Sequence, residues 1–185
     1  MMKFAEYKNK ILNEISLTLD AVSEEKVDEL TEAIRSAGRI FVDGAGRSGY
    51  MMRCFAMRLM HIGFCTYFLG ETVTPGAREK DILIIGSGSG ETGSLVARAK
   101  KARKIGCKIA VITISGCCSL GSLADWVIEI PAPTAKIETE YKSIQPMGNL
   151  FEQALLLTCE IMIMKIMEKT GISSDEMFKN HANLE

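Results

Sequence analysis

Two glycine-rich turns, each set between an apolar run and a helical pattern, constrain this chain more than any other feature. The first reads Gly44-Ala-Gly-Arg-Ser-Gly49 and follows the short run 39–43, RIFVD. The second reads Ser87-Gly-Ser-Gly-Glu-Thr92 and follows the run 81–86, DILIIG. The DILIIG run does not alternate polar and apolar residues, as expected of a strand covered on both faces. A strand, a tight turn and a helix in repeated succession imply a parallel sheet with right-handed crossovers.

The rest of the chain fits that frame. Apolar residues at Ile11, Leu12, Ile15 and Leu19 have helical spacing within 4–19. Ser23 reads as the N-cap of a second helix, with Glu24 and Glu25 in its first turn and Gly38 as its stop. Helices are expected at 48–62, 91–105 and 147–170, closed by Gly63, Gly106 and Gly171. Strands are expected at 65–69, 108–114 and 126–130, with one helical turn at 120–124 and a polar connection at 131–146. Ser173 or Ser174 caps a last short helix. With 185 residues and no linker or repeat, the expectation is one domain over 1–185, with N-terminal helices in 1–38 and C-terminal helices in 147–180.

Charge and cysteine usage exclude several classes. Lys plus Arg total 22 against 23 for Asp plus Glu, so no basic surplus favours nucleic acid. The first twenty residues carry charges throughout, and the apolar stretch 154–167 is broken by Glu160 and Lys165. Neither a signal peptide nor a membrane span is expected, which points to the cytoplasm. The six cysteines form no C-x-x-C pair, and His61 and His181 lie far from any cysteine pair. No metal site is expected, and the thiols read as reduced core residues.

In a parallel sheet covered on both faces, ligands bind outside the carboxyl ends of the strands, near the reversal in strand order. Both glycine-rich turns belong there. The first matches the letters G-x-G-x-x-G, so a dinucleotide is one reading, with Glu71 as the acid on a ribose. The second offers three hydroxyls and backbone N–H groups at a helix start, which suits an anion. A small phosphate monoester accounts for both turns, held by Arg47, Ser48, Ser87, Gly88, Ser89, Gly90, Glu91 and Thr92. Ordinary N-caps and tight turns are the plain alternative.

The segment 39–75 (with GAGRSG, FAMRLMHIGF and GETVTP), the SGSGET turn, and QPMG followed by Phe151-Glu152 resemble the sugar isomerase (SIS) domain family. Within it they resemble the branch acting on 3-hexulose 6-phosphate, from about Arg39 to His181-Ala-Asn-Leu184. The resemblance implies a three-layer α/β/α sandwich on a five-stranded parallel sheet in flavodoxin-like order. It implies interconversion of D-arabino-3-hexulose 6-phosphate and D-fructose 6-phosphate without metal or organic cofactor, serving formaldehyde fixation through ribulose monophosphate or its reverse. It also implies a homo-oligomer, commonly a tetramer, with sites at subunit boundaries. Asn149 departs from the small hydroxyl residue expected between Gly148 and Leu150.

Moving a carbonyl from C3 to C2 needs one base on one face of an enediolate. Glu152 is the candidate, in the first turn of the long helix, and the family pattern points to the same residue. Asn149-Leu-Phe-Glu152 also fits a capping box, in which Glu152 would only bond the Asn149 N–H. His61 lies thirteen positions after Ser48 on one helix, roughly 20 Å away at about 1.5 Å per residue. It is therefore a candidate for a neighbouring subunit's site or a buried structural residue. His181, in the last segment, either reaches across an interface or lies at a frayed end. Another sugar-phosphate isomerase of the same family, or a non-catalytic sugar-phosphate sensor, are the alternatives.

Overall fold

The computed structural model describes residues 1–134 and 139–184. Part of the connection expected at 131–146, residues 135–138, lies outside the described residues. Two helices come first, α1 (Phe4–Asp20) and α2 (Glu24–Ser36). Then follow β1 (Ile40–Gly44), α3 (Gly46–His61), β2 (Thr66–Phe68), β3 (Ile82–Gly86) and α4 (Gly93–Ile105). The chain continues through β4 (Lys108–Thr113), a single 3-10 turn at Gly121–Leu123, and β5 (Trp126–Glu129). It closes with α5 (Asn149–Thr170) and α6 (Ser174–Lys179).

All five strands are parallel, in the order β2-β1-β3-β4-β5. This is the flavodoxin-like order, and it reverses between β1 and β3. Strand pleating sends alternate side chains to opposite faces. Ile40, Val42, Ile82, Ile84, Ala110 and Ile112 meet α2, α3 and α5 in one core layer. Phe41, Leu83, Ile85, Ile109 and Val111 meet Leu95, Ala99 and Ala102 of α4 in the other. The absence of alternation in DILIIG therefore has its cause in two covered faces. α1 packs through Ile15 and Leu19 against the first layer. Among the described residues, no helix is long and apolar enough to cross a membrane.

Several element boundaries differ from the sequence reading. Only Gly44 and Ala45 precede α3, so most of the GAGRSG run is the first helical turn rather than a loop. Gly46 permits this tight entry, with φ at +57°. α4 starts at Gly93 because Thr92 is its N-cap, and α5 starts at Asn149 because Met147 has a φ of +56°. Ser23 and Ser173 cap α2 and α6 as expected, accepting from the Lys26 and Glu176 N–H groups. Of the six cysteines, Cys107 and Cys159 are buried, whereas Cys54, Cys65 and Cys117 are exposed and Cys118 is half-buried. Burial raises the Cys107 thiol to about 11. The exposed thiols are a correction to the core assignment: they lie on outward helix faces and turns.

Asp125 ties the turn before β5 to the start of β4. It accepts from the Ile109 N–H at 2.9 Å, from Arg103 at 2.9 Å and from Lys108 at 3.3 Å. Burial alone would raise its carboxyl, but these donors outweigh burial and the net shift is downward. Asp125→Ala leaves the Ile109 N–H without this partner and should cost about 1–3 kcal/mol in urea unfolding at neutral pH. A carboxyl with a lowered folded pKa stabilises fully above its unfolded value of about 4, and that contribution is lost as pH falls through the folded value. The difference between wild type and variant should therefore shrink in melts below about pH 4.

Candidate active site

The site begins with two glycines. Gly44 ends β1 and Gly86 ends β3, and the two are paired across the parallel ladder. A Cβ on Gly49 would stand 2.6 Å from the Gly44 carbonyl oxygen, and one on Gly44 would stand 2.8 Å from the Gly49 Cα. Only the absence of both side chains lets α3 start directly against the end of β1. A Cβ on Gly86 would likewise run into Met52 of α3.

A cavity of about 600 Å³ opens beyond these strand ends. Arg47 and Ser48 line it from α3, Ser87, Gly88, Ser89 and Thr92 from the β3–α4 turn, and Asn149, Phe151 and Glu152 from α5. Ile114, Thr134 and the segment 146–148 complete the lining. Three helices of 16, 13 and 22 residues thus start at one cavity, and none has a side-chain N-cap hydrogen bond. The contrast with α2 and α6, capped by serines elsewhere, is direct. Helix starts without side-chain caps turn backbone N–H groups and the positive ends of three macrodipoles toward this space. Such a place suits a small anion.

The second turn is held by its carbonyls. Gly88 O accepts from the Ile114 N–H and the Thr113 hydroxyl, and Gly90 O accepts from the Leu120 N–H. Ser87 and Ser89 are buried beside the cavity. Gly90 and Glu91, both expected at the ligand, do not line it. Gly90 is left-handed, with φ at +64°, and turns toward Cys118. Glu91 accepts from the Ser119 hydroxyl and N–H, each at 2.6 Å, which hold its carboxyl below the usual range.

Glu152 lies in the cavity wall with its side chain 14% exposed. It accepts from Arg47 Nε at 2.5 Å, while Arg47 Nη2 donates to Asn149 Oδ1 at 2.6 Å. The capping-box alternative does not hold. Gly148 is the N-cap of α5, and the Asn149 N–H goes to the Pro146 carbonyl at 3.2 Å rather than to Glu152. Met147, just before, is left-handed, a conformation costing roughly 1–2 kcal/mol for a residue with a Cβ. That strain sits at the cavity wall.

His61 and His181 lie elsewhere. His61 ends α3, at the opposite end of that helix from the cavity. Its ring stacks on His181 at 5.5 Å, and His181 stacks on Phe178 at 5.7 Å. Asn180 Nδ2 donates to the His61 carbonyl at 2.9 Å. Burial, Arg58 and His181 push the His61 imidazole below its usual value. The two histidines are thus brought together, but away from the cavity of their own chain. Glu71, the acid of the dinucleotide reading, pairs with Arg53, whose guanidinium lies 3.8 Å over the Phe68 ring. Among the described residues, no group of three or more His, Cys, Asp or Glu side chains could hold a metal ion.

The SIS domain family matches residues 33–157. The chain belongs to the SIS domain family. A 3-hexulose-6-phosphate isomerase of Bacillus subtilis is 49% identical over 185 residues, all of both chains. One from Mycobacterium gastri is 39% identical, covering 95% of this chain and 92% of its own. A Methanococcus jannaschii crystal structure, said to infer a molecular function of 3-hexulose-6-phosphate isomerase, superposes with a TM-score of 0.85 at 39% identity. It covers 97% of this chain and 99% of that one. The cavity of this SIS domain draws on both ends of the matched region, from Arg47 to Glu152.

Sequence reading missed Ile114, Thr134, Met147 and Phe151 as lining residues. Met147 is unmarked in the sequence, since the glycine after it is the residue type expected to turn left-handed, yet Met147 does so and Gly148 does not. Ile114 and Phe151 carry no mark either, since an apolar residue at a strand end or a helix start reads as core. Gly49→Ala tests the close approach of α3. Alanine ordinarily stabilises a helix interior by about 1 kcal/mol over glycine. Here overpacking against the Gly44 carbonyl should reverse the sign and cost about 1–3 kcal/mol in chemical denaturation.

Proposed function

We propose that this chain is a 3-hexulose-6-phosphate isomerase. It interconverts D-arabino-3-hexulose 6-phosphate and D-fructose 6-phosphate through a 2,3-enediolate. One observation carries the reading: three uncapped helix starts and a carboxylate share a single cavity. The helix starts, with Ser48, Ser87 and Thr92, take the phosphate, and Glu152 is left for the proton. The names of the full-length relatives support the same substrate.

The reaction takes the proton from C2 of the 3-ketose and returns it to C3, while the hydroxyl proton of O2 passes to O3. A carboxylate on one face of a cis-enediolate performs both carbon transfers. Donors near the two oxygens stabilise the developing charge. Arg47, 65% exposed and paired with Glu152, takes the role of holding the carboxylate in this scheme. No cofactor enters this scheme.

The ring chemistry is asymmetric. The 3-ketose cannot close an ordinary ring, because O6 carries phosphate and O5 would give a four-membered ring. Fructose 6-phosphate closes through O5, so an acid–base for ring opening is needed at that end alone. We assign this role to His61 of a neighbouring copy: it is buried at the far end of α3 with His181 stacked on it, away from the cavity of its own chain. The proposal therefore includes a homo-oligomer, with a tetramer favoured, acting in the cytoplasm in ribulose monophosphate formaldehyde fixation or its reverse.

Glu152→Gln keeps the side-chain shape and removes the base. Turnover should fall about 10²–10⁴-fold, with phosphosugar binding and melting temperature little changed. A stable variant with near-normal turnover would assign the base elsewhere. Mixing an inactive His61→Ala protein with an inactive Glu152→Gln protein, followed by subunit exchange, should restore part of the activity in hybrid assemblies. A fully active monomer on a sizing column would refute the shared site.

A further inference from the structure

A line of hydrogen bonds leaves the cavity and ends on α1, far from any residue the chemistry uses. Arg47 Nη2 donates to Asn149 Oδ1 at 2.6 Å, and Asn149 Nδ2 donates to Gln145 Oε1 at 2.7 Å. Gln145 Nε2 donates in turn to Glu14 Oε2 at 3.2 Å. Glu14 also accepts from the Ser143 hydroxyl at 2.6 Å and from the Ile144 N–H at 2.8 Å. We propose that Glu14 is a positioning residue for the Arg47–Glu152 pair, acting by fixing which way the Gln145 and Asn149 amides face.

The argument is one of donors and acceptors. Each amide has one end that donates and one that accepts, so either end can face a given neighbour. An ionised carboxylate only accepts, and a guanidinium only donates. With Glu14 at one end, Gln145 must turn its NH2 outward to α1 and its oxygen inward. Asn149 must then give its NH2 to Gln145 and its oxygen to Arg47. All three links are satisfied in one orientation alone. Burial by itself would raise the Glu14 carboxyl, but the Ser143, Ile144 and Gln145 donors outweigh burial and bring it below its usual range. It is therefore ionised at neutral pH. Gln145 is 92% buried, its exposure being 8%, so water cannot readily replace a lost partner.

Asn149 acquires a reason in this arrangement. Its amide spans the gap between Gln145 and Arg47 and bonds both. A single hydroxyl, the residue type expected at this position, is too short to span it in the same way. The fork of Arg47 is then set from two sides, Nη2 by Asn149 and Nε by Glu152. Turning the Asn149 amide would place donor against donor and push Arg47, and with it the carboxylate, off its position.

The proposal rests on the isomerase reading for its kinetic test, so a second readout is independent of turnover. Glu14→Gln keeps shape but leaves one accepting oxygen in place of two; with that oxygen held by the fixed Ile144 N–H, the NH2 faces Gln145 and turns both amides in sequence. The variant should lose about 10- to 100-fold in kcat, the scale of a small misplacement, with a smaller change in KM. Adding Asn149→Asp restores an acceptor facing Arg47 whichever way Gln145 turns, and conserves total charge. The double variant should recover most of the lost kcat. In nitrogen–proton NMR, the Arg47 Nε–H signal should exchange slowly in wild type, be lost in E14Q, and return in E14Q/N149D. If E14Q does not fold, Gln145→Met cuts the same line without touching α1, and should lose the same signal. A wild-type kcat or an unchanged Arg47 signal in the single variants overturns the proposal. So does a double variant no faster than E14Q. If wild type does not isomerise the hexulose phosphate, the isomerase reading fails, and the Arg47 signal alone decides this one.

Discussion

The contact between the end of β1 and the start of α3 is the constraint on which the cavity depends. Gly44 and Gly49 touch through backbone atoms, and a Cβ on either would meet the other well inside van der Waals distance. Because α3 starts there, its first N–H groups and Arg47 face the space beyond the sheet. Gly86, paired with Gly44 across the ladder, lets α3 and α5 close over the strand ends at the reversal of strand order. Parallel strands give every following helix the same sense, so helix starts collect at one edge of the sheet.

That collection is how, in the proposed reading, a chain with a formal charge of −1 would offer an anion site. No basic cluster is needed. Three helix starts left without side-chain caps provide donors and a local positive field, at a cost in stability at each start. Among the described residues that line the cavity, the cation is Arg47, and it pairs with Glu152. In the proposed scheme the two tasks are separate: backbone groups take the anion, and a side-chain carboxylate moves the proton.

The far end of α3 is organised differently. His61, His181 and Phe178 form a stack there, tied to the chain end by the Asn180 bond to the His61 carbonyl. Rings at the end of one helix and in the last segment of the chain are thus joined into one cluster. The distance along α3 that keeps His61 from its own cavity is a direct result of helix length.

The order of elements, the parallel sheet and the second turn were legible in the sequence, because they follow from local periodicity and from glycine's freedom at strand ends; the first run was placed correctly after β1 but is mostly helix. Ser23 was legible as a cap for the same reason, since a cap bonds its own first turn, and the structure chose Ser173 over Ser174 for the last helix. The strand order is not local in this sense and came through family resemblance. What only the tertiary structure decided concerns contacts between distant segments. Glu91 looked like part of the anion turn but bonds Ser119, and Asn149 looked like a cap but joins Gln145 to Arg47. Glu14 carried no signal at all, because its partners lie about 130 positions away and nothing in a helical pattern marks which polar face meets another segment. Local rules settle where helices and strands form; packing settles which of several satisfiable partners a polar side chain takes.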